Sequence, residues 1–304
     1  MSLVVENITK YYGTQKAIDG VSFTAEPNSI IGLIGPNGAG KTTTMKILTC
    51  YMPSDEGRAS IHGLDIETDE QEIKRITGYL PEHNPLYGNM YVKEFLLFVS
   101  RIHRIPHPHQ HISSIIEKVG LGIEQHKKIS ELSKGYKQRV GIAQAIIHDP
   151  KILILDEPIS GLDPNQLVEI RNLIRELKED KTIIFSSHIL QEVESICDRV
   201  VILNKGRVIT NESLLSLQED EGEEFILNLK LTSPVDKTLL SDINGVSMVK
   251  QNDSTSYSIR CNKDEYTREL IFDTIVQSGS KIILMEFKQD SLESIFKSVT
   301  QSDS

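Results

Sequence analysis

Residues 35–42 read Gly-Pro-Asn-Gly-Ala-Gly-Lys-Thr. Two glycines five positions apart, followed by Lys and a hydroxyl residue, fit the spacing of a phosphate-binding loop. Each residue type has a chemical reason. Gly35, Gly38 and Gly40 let backbone N–H groups approach a phosphate with no Cβ in the way. Pro36, Asn37 and Ala39 complete the turn, and Lys41 carries a point charge to the β- and γ-phosphates. The Thr42 hydroxyl is a ligand for the Mg²⁺ that bridges them. A helix predicted from about Thr43 to Thr49 aims its positive end at the same anion.

Other candidate groups stand at the ends of apolar runs. Ile30–Ile34 leads into the glycine loop, Ile76–Leu80 into Pro81-Glu82, Ile152–Leu155 into Asp156-Glu157, and Thr182–Phe185 into Ser186-Ser187-His188. Four such strands, separated by helical patterns, predict a parallel α/β sheet whose ligand lies beyond the strands' carboxyl ends. Asp156 is placed to hold Mg²⁺ directly or through water, and Glu157 to orient or deprotonate a water attacking the γ-phosphate. His188, at the same edge, is placed to hydrogen-bond that phosphate.

Leu132-Ser133-Lys134-Gly135-Tyr136-Lys137-Gln138-Arg139 opens a further helical pattern some twenty residues before Asp156. Ser133 suits the N-cap, and Gly135 allows close backbone approach. With this element in place, residues 2–215 resemble the ATP-binding subunits of ABC transporters. The resemblance makes Gly35–Thr42 the Walker A loop, Ile152–Asp156 Walker B, Glu157 the catalytic carboxylate, Ser160–Asp163 the D-loop and His188 the switch histidine. It places Tyr12 against adenine, although Tyr11 beside it carries an equivalent ring. It implies ATP and Mg²⁺ as cofactors, and a homodimer or paired nucleotide-binding domain. In that pair Ser133 and Gly135 of one copy touch the γ-phosphate held by the other, and closure drives an integral membrane permease.

Three positions depart from the general family pattern: Lys134 replaces a glycine, Tyr136 a glutamine, and Glu82 the usual Q-loop glutamine. A carboxylate at 82 adds negative charge beside the metal site of Thr42 and Asp156. The departures occur together in a drug-exporter-like subset of the family. The runs 78–87, 161–166 and 193–199 are most similar to a subunit associated with bacterial gliding motility.

At 304 residues the chain is long enough for one domain or two. A net charge of −10 opposes non-specific attraction to nucleic acid, so no nucleic-acid partner is expected. No apolar run reaches membrane-spanning length, and the N-terminus lacks a basic region and an apolar signal core. The three scattered cysteines have no metal spacing and suggest a reducing compartment. The expected location is therefore cytoplasmic, peripheral on the inner face of the membrane through the permease. The expected fold class is α/β: a P-loop cassette over 1–215 with an antiparallel β-subdomain and a helical subdomain at about 83–148. That helical subdomain is the expected permease-docking surface.

After a linker at 216–223, residues 224–304 form a small α+β ferredoxin-like domain of accessory role. It is predicted from strands at Glu224–Leu231, Gly245–Lys250, Ser256–Cys261 and Lys281–Phe287, with helices at Pro234–Ile243, Asp264–Ser278 and Ser291–Thr300. His103, His107, His109 and His111 form a cluster whose two prolines favour a solvated loop over a metal site. The alternative function, a soluble ATPase of the same type working on nucleic acid or ribosomes, is opposed by the acidic charge and by the single cassette. A P-loop kinase is opposed by the 132–139 element and by Glu157, placed for water.

Overall fold

The computed structural model describes residues 1–214, 224–262 and 264–288. The chain divides into two compact units at Leu214/Leu215.

The first unit is built on a six-stranded sheet of order β10-β9-β3-β8-β7-β6. Its strands are β3 (Ile30–Ile34), β6 (Thr77–Leu80), β7 (Ile152–Leu155), β8 (Thr182–Ser187), β9 (Arg199–Asn204) and β10 (Arg207–Ser213). The first five run parallel and β10 returns antiparallel along β9. β3 and β7 are buried at every position, as a strand covered on both faces must be. Gly32 lies at the centre of β3, where an added Cβ would fall 2.5 Å from Val193 Cγ1 and 2.9 Å from Cys197 Sγ. Only glycine lets helix α7 (Leu190–Ile196) pack this close to the strand.

A second, antiparallel sheet of order β2-β1-β4-β5 is formed by β1 (Leu3–Tyr12), β2 (Gln15–Ala25), β4 (Glu56–Ile61) and β5 (Leu64–Asp65). Leu3, Val5, Ile18 and Phe23 of this sheet share one core with Leu33, Ile154 and Val201 of the first sheet and with Met45 and Leu48 of helix α1 (Lys41–Leu48). Helix α1 starts two residues earlier than expected. Gly40, at φ 105°, turns the chain left-handed immediately before it, and its carbonyl already accepts from Thr44 N at 2.9 Å. Helix α2 (Glu70–Ile76) leads into β6. Between β6 and β7 lie α3 (Val92–Ile102), α4 (Pro108–Lys118) and α5 (Lys134–Ile146). Helix α6 (Pro164–Leu177) follows β7, capped by Asp163, which accepts from Asn165 N and Gln166 N.

The second unit has the order β11 (Glu224–Leu231), α8 (Lys237–Ser241), β12 (Val246–Gln251), β13 (Ser256–Asn262), α9 (Glu265–Gln277), β14 (Ile282–Lys288). Its sheet order, β12-β13-β11-β14, is all antiparallel and is the ferredoxin-like arrangement. Helix α8 is shorter than the predicted Pro234–Ile243. Val235 N–H donates to Tyr257 Oη at 2.9 Å and Val235 O accepts from the same hydroxyl at 2.8 Å. With both groups engaged, the helix begins only after the Asp236 cap. The predicted helix Ser291–Thr300 and the linker 216–223 lie outside the described residues.

Candidate functional site

The strand ends deliver their polar residues to one edge of the six-stranded sheet. Asp156, the first residue beyond β7, is fully buried. Its Oδ2 accepts from Thr42 Oγ1 at 2.8 Å and its Oδ1 from Ser186 Oγ at 2.7 Å. Its own N–H donates to Leu80 O at 2.8 Å. A buried carboxylate requires such donors. Ser186 Oγ also accepts from Glu157 N at 2.8 Å, so one hydroxyl fixes both acidic residues. The signal for Ser186 was a polar pair at the end of an apolar strand, but its place inside β8, fully buried, was not expected.

Glu157 sits at φ 50°, a left-handed conformation rare for glutamate. The turn aims its carboxylate at His188, whose Nδ1–H donates to Glu157 Oε2 at 2.8 Å. Burial pushes the Glu157 carboxyl above its usual range. The His188 hydrogen bond and the charges of His188 and Lys41 oppose the rise, and Asp156 adds to it. Lys41 is 7 % exposed, with Nζ donating to Gly35 O at 2.7 Å and Pro36 O at 3.3 Å. Burial lowers its pKa, against the pull of Glu157, Asp156 and Glu82.

A cavity of about 760 Å³ brings together Lys41, Thr42, Glu157 and His188, with Asp156 outside its lining. Asn37 to Thr43, Tyr12, Glu82, Glu157 and His188 line it, together with Lys16 and Lys205. Tyr12 ends β1 and is half exposed, whereas Tyr11 is not part of the lining. Gly35 and Pro36 lie outside the lining, and a Cβ on Gly40 would fall 2.5 Å from Ile18 Cγ2. Ser133 and Gly135 are not part of this cavity. Ser133 caps α5 by accepting from Tyr136 N, at 3.4 Å, on the exposed side of that helix start.

Thr42, Asp156 and Glu82 offer only oxygen donors, the set that suits Mg²⁺ when phosphate oxygens complete the shell. Among the described residues no group of three His, Cys, Asp or Glu residues could hold a metal unaided. The histidine cluster is not one solvated loop: His109 and His111 lie in α4, His103 stacks on His148 with centroids 4.2 Å apart, and His111 Nε2 bonds to Ile147 O at 2.6 Å.

A glycine-rich phosphate loop, a buried acid two strands away in the same sheet and a second carboxylate braced by histidine define a P-loop nucleotide hydrolase. The ABC transporter family profile matches residues 18–160. The uncharacterised ABC transporter ATP-binding protein YxlF of Bacillus subtilis is 33 % identical over 99 % of this chain and 100 % of its own. The bacitracin transport ATP-binding protein BcrA of Bacillus licheniformis is 33 % identical over 97 % of each. A solved ATP-binding subunit of an ABC transporter superposes with a TM-score of 0.66 at 29 % identity, over 73 % of this chain and 94 % of its own. The chain belongs to the ABC transporter ATP-binding proteins and is an ATPase of that family.

Replacing Ser186 with alanine strips one donor from Asp156 and the acceptor from Glu157 N–H. Leaving a buried partner unmet costs about 1–3 kcal/mol. Urea unfolding of Ser186→Ala should show a midpoint lowered accordingly; an unchanged midpoint would mean the hydroxyl bridges nothing of consequence.

Proposed function

We propose that two copies of this chain close around two ATP molecules and drive a separate membrane permease. The observation that carries this reading is the division of the predicted ATP contacts. Tyr12, residues 37–42 of the loop, Glu82, Glu157 and His188 line one cleft, while Ser133, exposed at the start of α5, and Gly135, buried against Gln166, stand outside it. A second copy supplies the missing cap.

The parts then divide as follows. Loop N–H groups and Lys41 hold the phosphates, and Tyr12 stacks on the base, worth roughly 1–3 kcal/mol by analogy with single-strand binding. Thr42 and Asp156, with Glu82, would hold Mg²⁺, which would neutralise phosphate charge when bound. Glu157 accepts a proton from the attacking water, and His188 orients Glu157 through the 2.8 Å bond. Burial lowers the Lys41 pKa, and the charges of Glu157, Asp156 and Glu82 oppose that fall.

A second cavity of about 740 Å³ shares Thr42, Glu82 and Asp156 with the site and opens between exposed Tyr87, Phe98 and Ile102. Tyr87 packs edge-on against Phe95 and Phe98, at 6.0 and 5.9 Å. An apolar patch that touches the metal ligands suits a permease segment that senses nucleotide. Among the described residues no helix is long and apolar enough to cross a membrane, so the reading needs that partner and places the protein on the cytoplasmic face through it. Relatives named for bacitracin transport and linearmycin resistance favour export. The motility association rests on the sequence runs 78–87, 161–166 and 193–199 alone.

Glu157→Gln should keep ATP affinity, lose turnover and elute as an ATP-dependent dimer; Ser133→Arg in that background should return the monomer. A Glu157→Gln protein that hydrolyses at the wild-type rate removes Glu157 from its role. The pH dependence follows from the raised Glu157 pKa. The base works only when ionised, so turnover falls as pH drops through that raised value. His188→Ala deletes the opposing hydrogen bond, lifting the pKa further. The acid limb of the kcat profile should move to higher pH; a limb that stays in place contradicts the pairing.

A further inference from the structure

Arg139 is 9 % exposed and lies one helical turn beyond Gly135, on the same face of α5. Its guanidinium forks. Nη1 donates to Val119 O at 2.6 Å, a free carbonyl at the end of α4, where a cation is favoured. Nη2 donates to Glu169 Oε2 on α6. The space is reserved for it: a Cβ on Gly120, already at φ 68°, would fall 2.7 Å from Nη1. Two further contacts lie alongside. A Cβ on Gly135 would collide with the Gln166 side chain, one turn before Glu169 on α6, and a Cβ on Gly161 would collide with Lys134 Nζ. The loop Ser133-Lys134-Gly135 is therefore seated on the D-loop and on the helix that follows it, in the same chain. From Asp163, the cap of α6, only the segment 158–162 leads back to Glu157.

We propose that Arg139 is a positioning residue that locks α5 in register with α6. Through this lock, a phosphate captured by Ser133 and Gly135 in the neighbouring copy's site alters the setting of Glu157 in the chain's own site. The inference rests on the two-copy reading above and adds a route by which the two ATP sites sense each other. Arginine suits the place because its planar fork reaches the Val119 carbonyl and the Glu169 carboxylate from two separate nitrogens, a span that lysine's single nitrogen does not offer.

The test uses the full chain as wild type, Arg139→Gln, Arg139→Lys and Glu169→Gln. Three readouts are taken: equilibrium binding of a fluorescent ATP analogue to dilute protein, kcat with its Hill coefficient in ATP, and the melting temperature. Arg139→Gln should bind the analogue within about twofold of wild type, lose about tenfold in kcat and show a Hill coefficient reduced to one. Arg139→Lys should recover part of both. Glu169→Gln, altered at a side chain 61 % exposed, should lower kcat by about threefold and move the Hill coefficient part of the way to one, and it decides the question if Arg139→Gln fails to fold. Variants that lose melting temperature but keep wild-type kcat and Hill coefficient overturn the proposal and leave Arg139 a packing residue. If wild-type cooperativity is absent and Glu157→Gln forms no ATP-dependent dimer, the two-copy reading itself has failed. If that dimer forms and both variants behave as wild type, the lock alone is refuted.

Discussion

The site depends on the burial of one charge. Asp156 has no solvent exposure, and its carboxylate is held by hydroxyls from α1 and β8 while its N–H binds β6. A lone ionised carboxylate in such a place would cost several kcal/mol. The donors that remove this cost also join the phosphate loop, the sheet centre and the strand that carries His188. Thr42 and Asp156 are 114 residues apart in sequence, yet they meet at 2.8 Å because β3 and β7 both border β8 in a parallel sheet. Relaxing that bond would loosen the candidate metal site and the backbone of Glu157 together, since Ser186 serves both residues.

Around this fixed centre the remaining parts are attached by thinner links. Helix α5 packs closely on β6. A Cβ on Gly141 of α5 would lie 2.6 Å from Asn84 Nδ2 and from Leu80 Cδ1. Segment 81–91, irregular throughout, carries Glu82 at the site and Tyr87 at the apolar cavity. A carboxylate at the candidate nucleotide site and an aromatic ring at the apolar cavity thus lie five residues apart on one connector.

Much of this was legible before any coordinates. Gly35–Thr42 is local in sequence and its chemistry follows from residue type, so the loop, its lysine and its hydroxyl could be assigned directly. The four apolar strands and their polar termini were legible because buried parallel strands are short and uniformly apolar. Walker B, Glu157 and His188 followed from that pattern together with the family resemblance. What stayed hidden depends on pairing distant in the chain. Ser186 looked like one of two interchangeable serines until β8 was seen to extend through both. Arg139 had no role assigned from the sequence, since nothing in the run Lys137-Gln138-Arg139 tells which side chain turns inward. The length of α8 was misjudged because Tyr257, twenty-two residues away, occupies the backbone of Val235. The early start of α1 was set by a left-handed Gly40 rather than by helix propensity.

The account stands on Thr42 and Asp156 forming, with phosphate oxygens, the seat of Mg²⁺. The most direct measurement is calorimetric titration of ATP into wild type and Asp156→Asn, each with and without magnesium. In wild type magnesium should tighten ATP binding about tenfold or more, as expected for a bridged phosphate–carboxylate pair, and in Asp156→Asn that gain should disappear while metal-free affinity is kept. Equal magnesium enhancement in the two proteins would contradict the assignment of Asp156 and the site built around it.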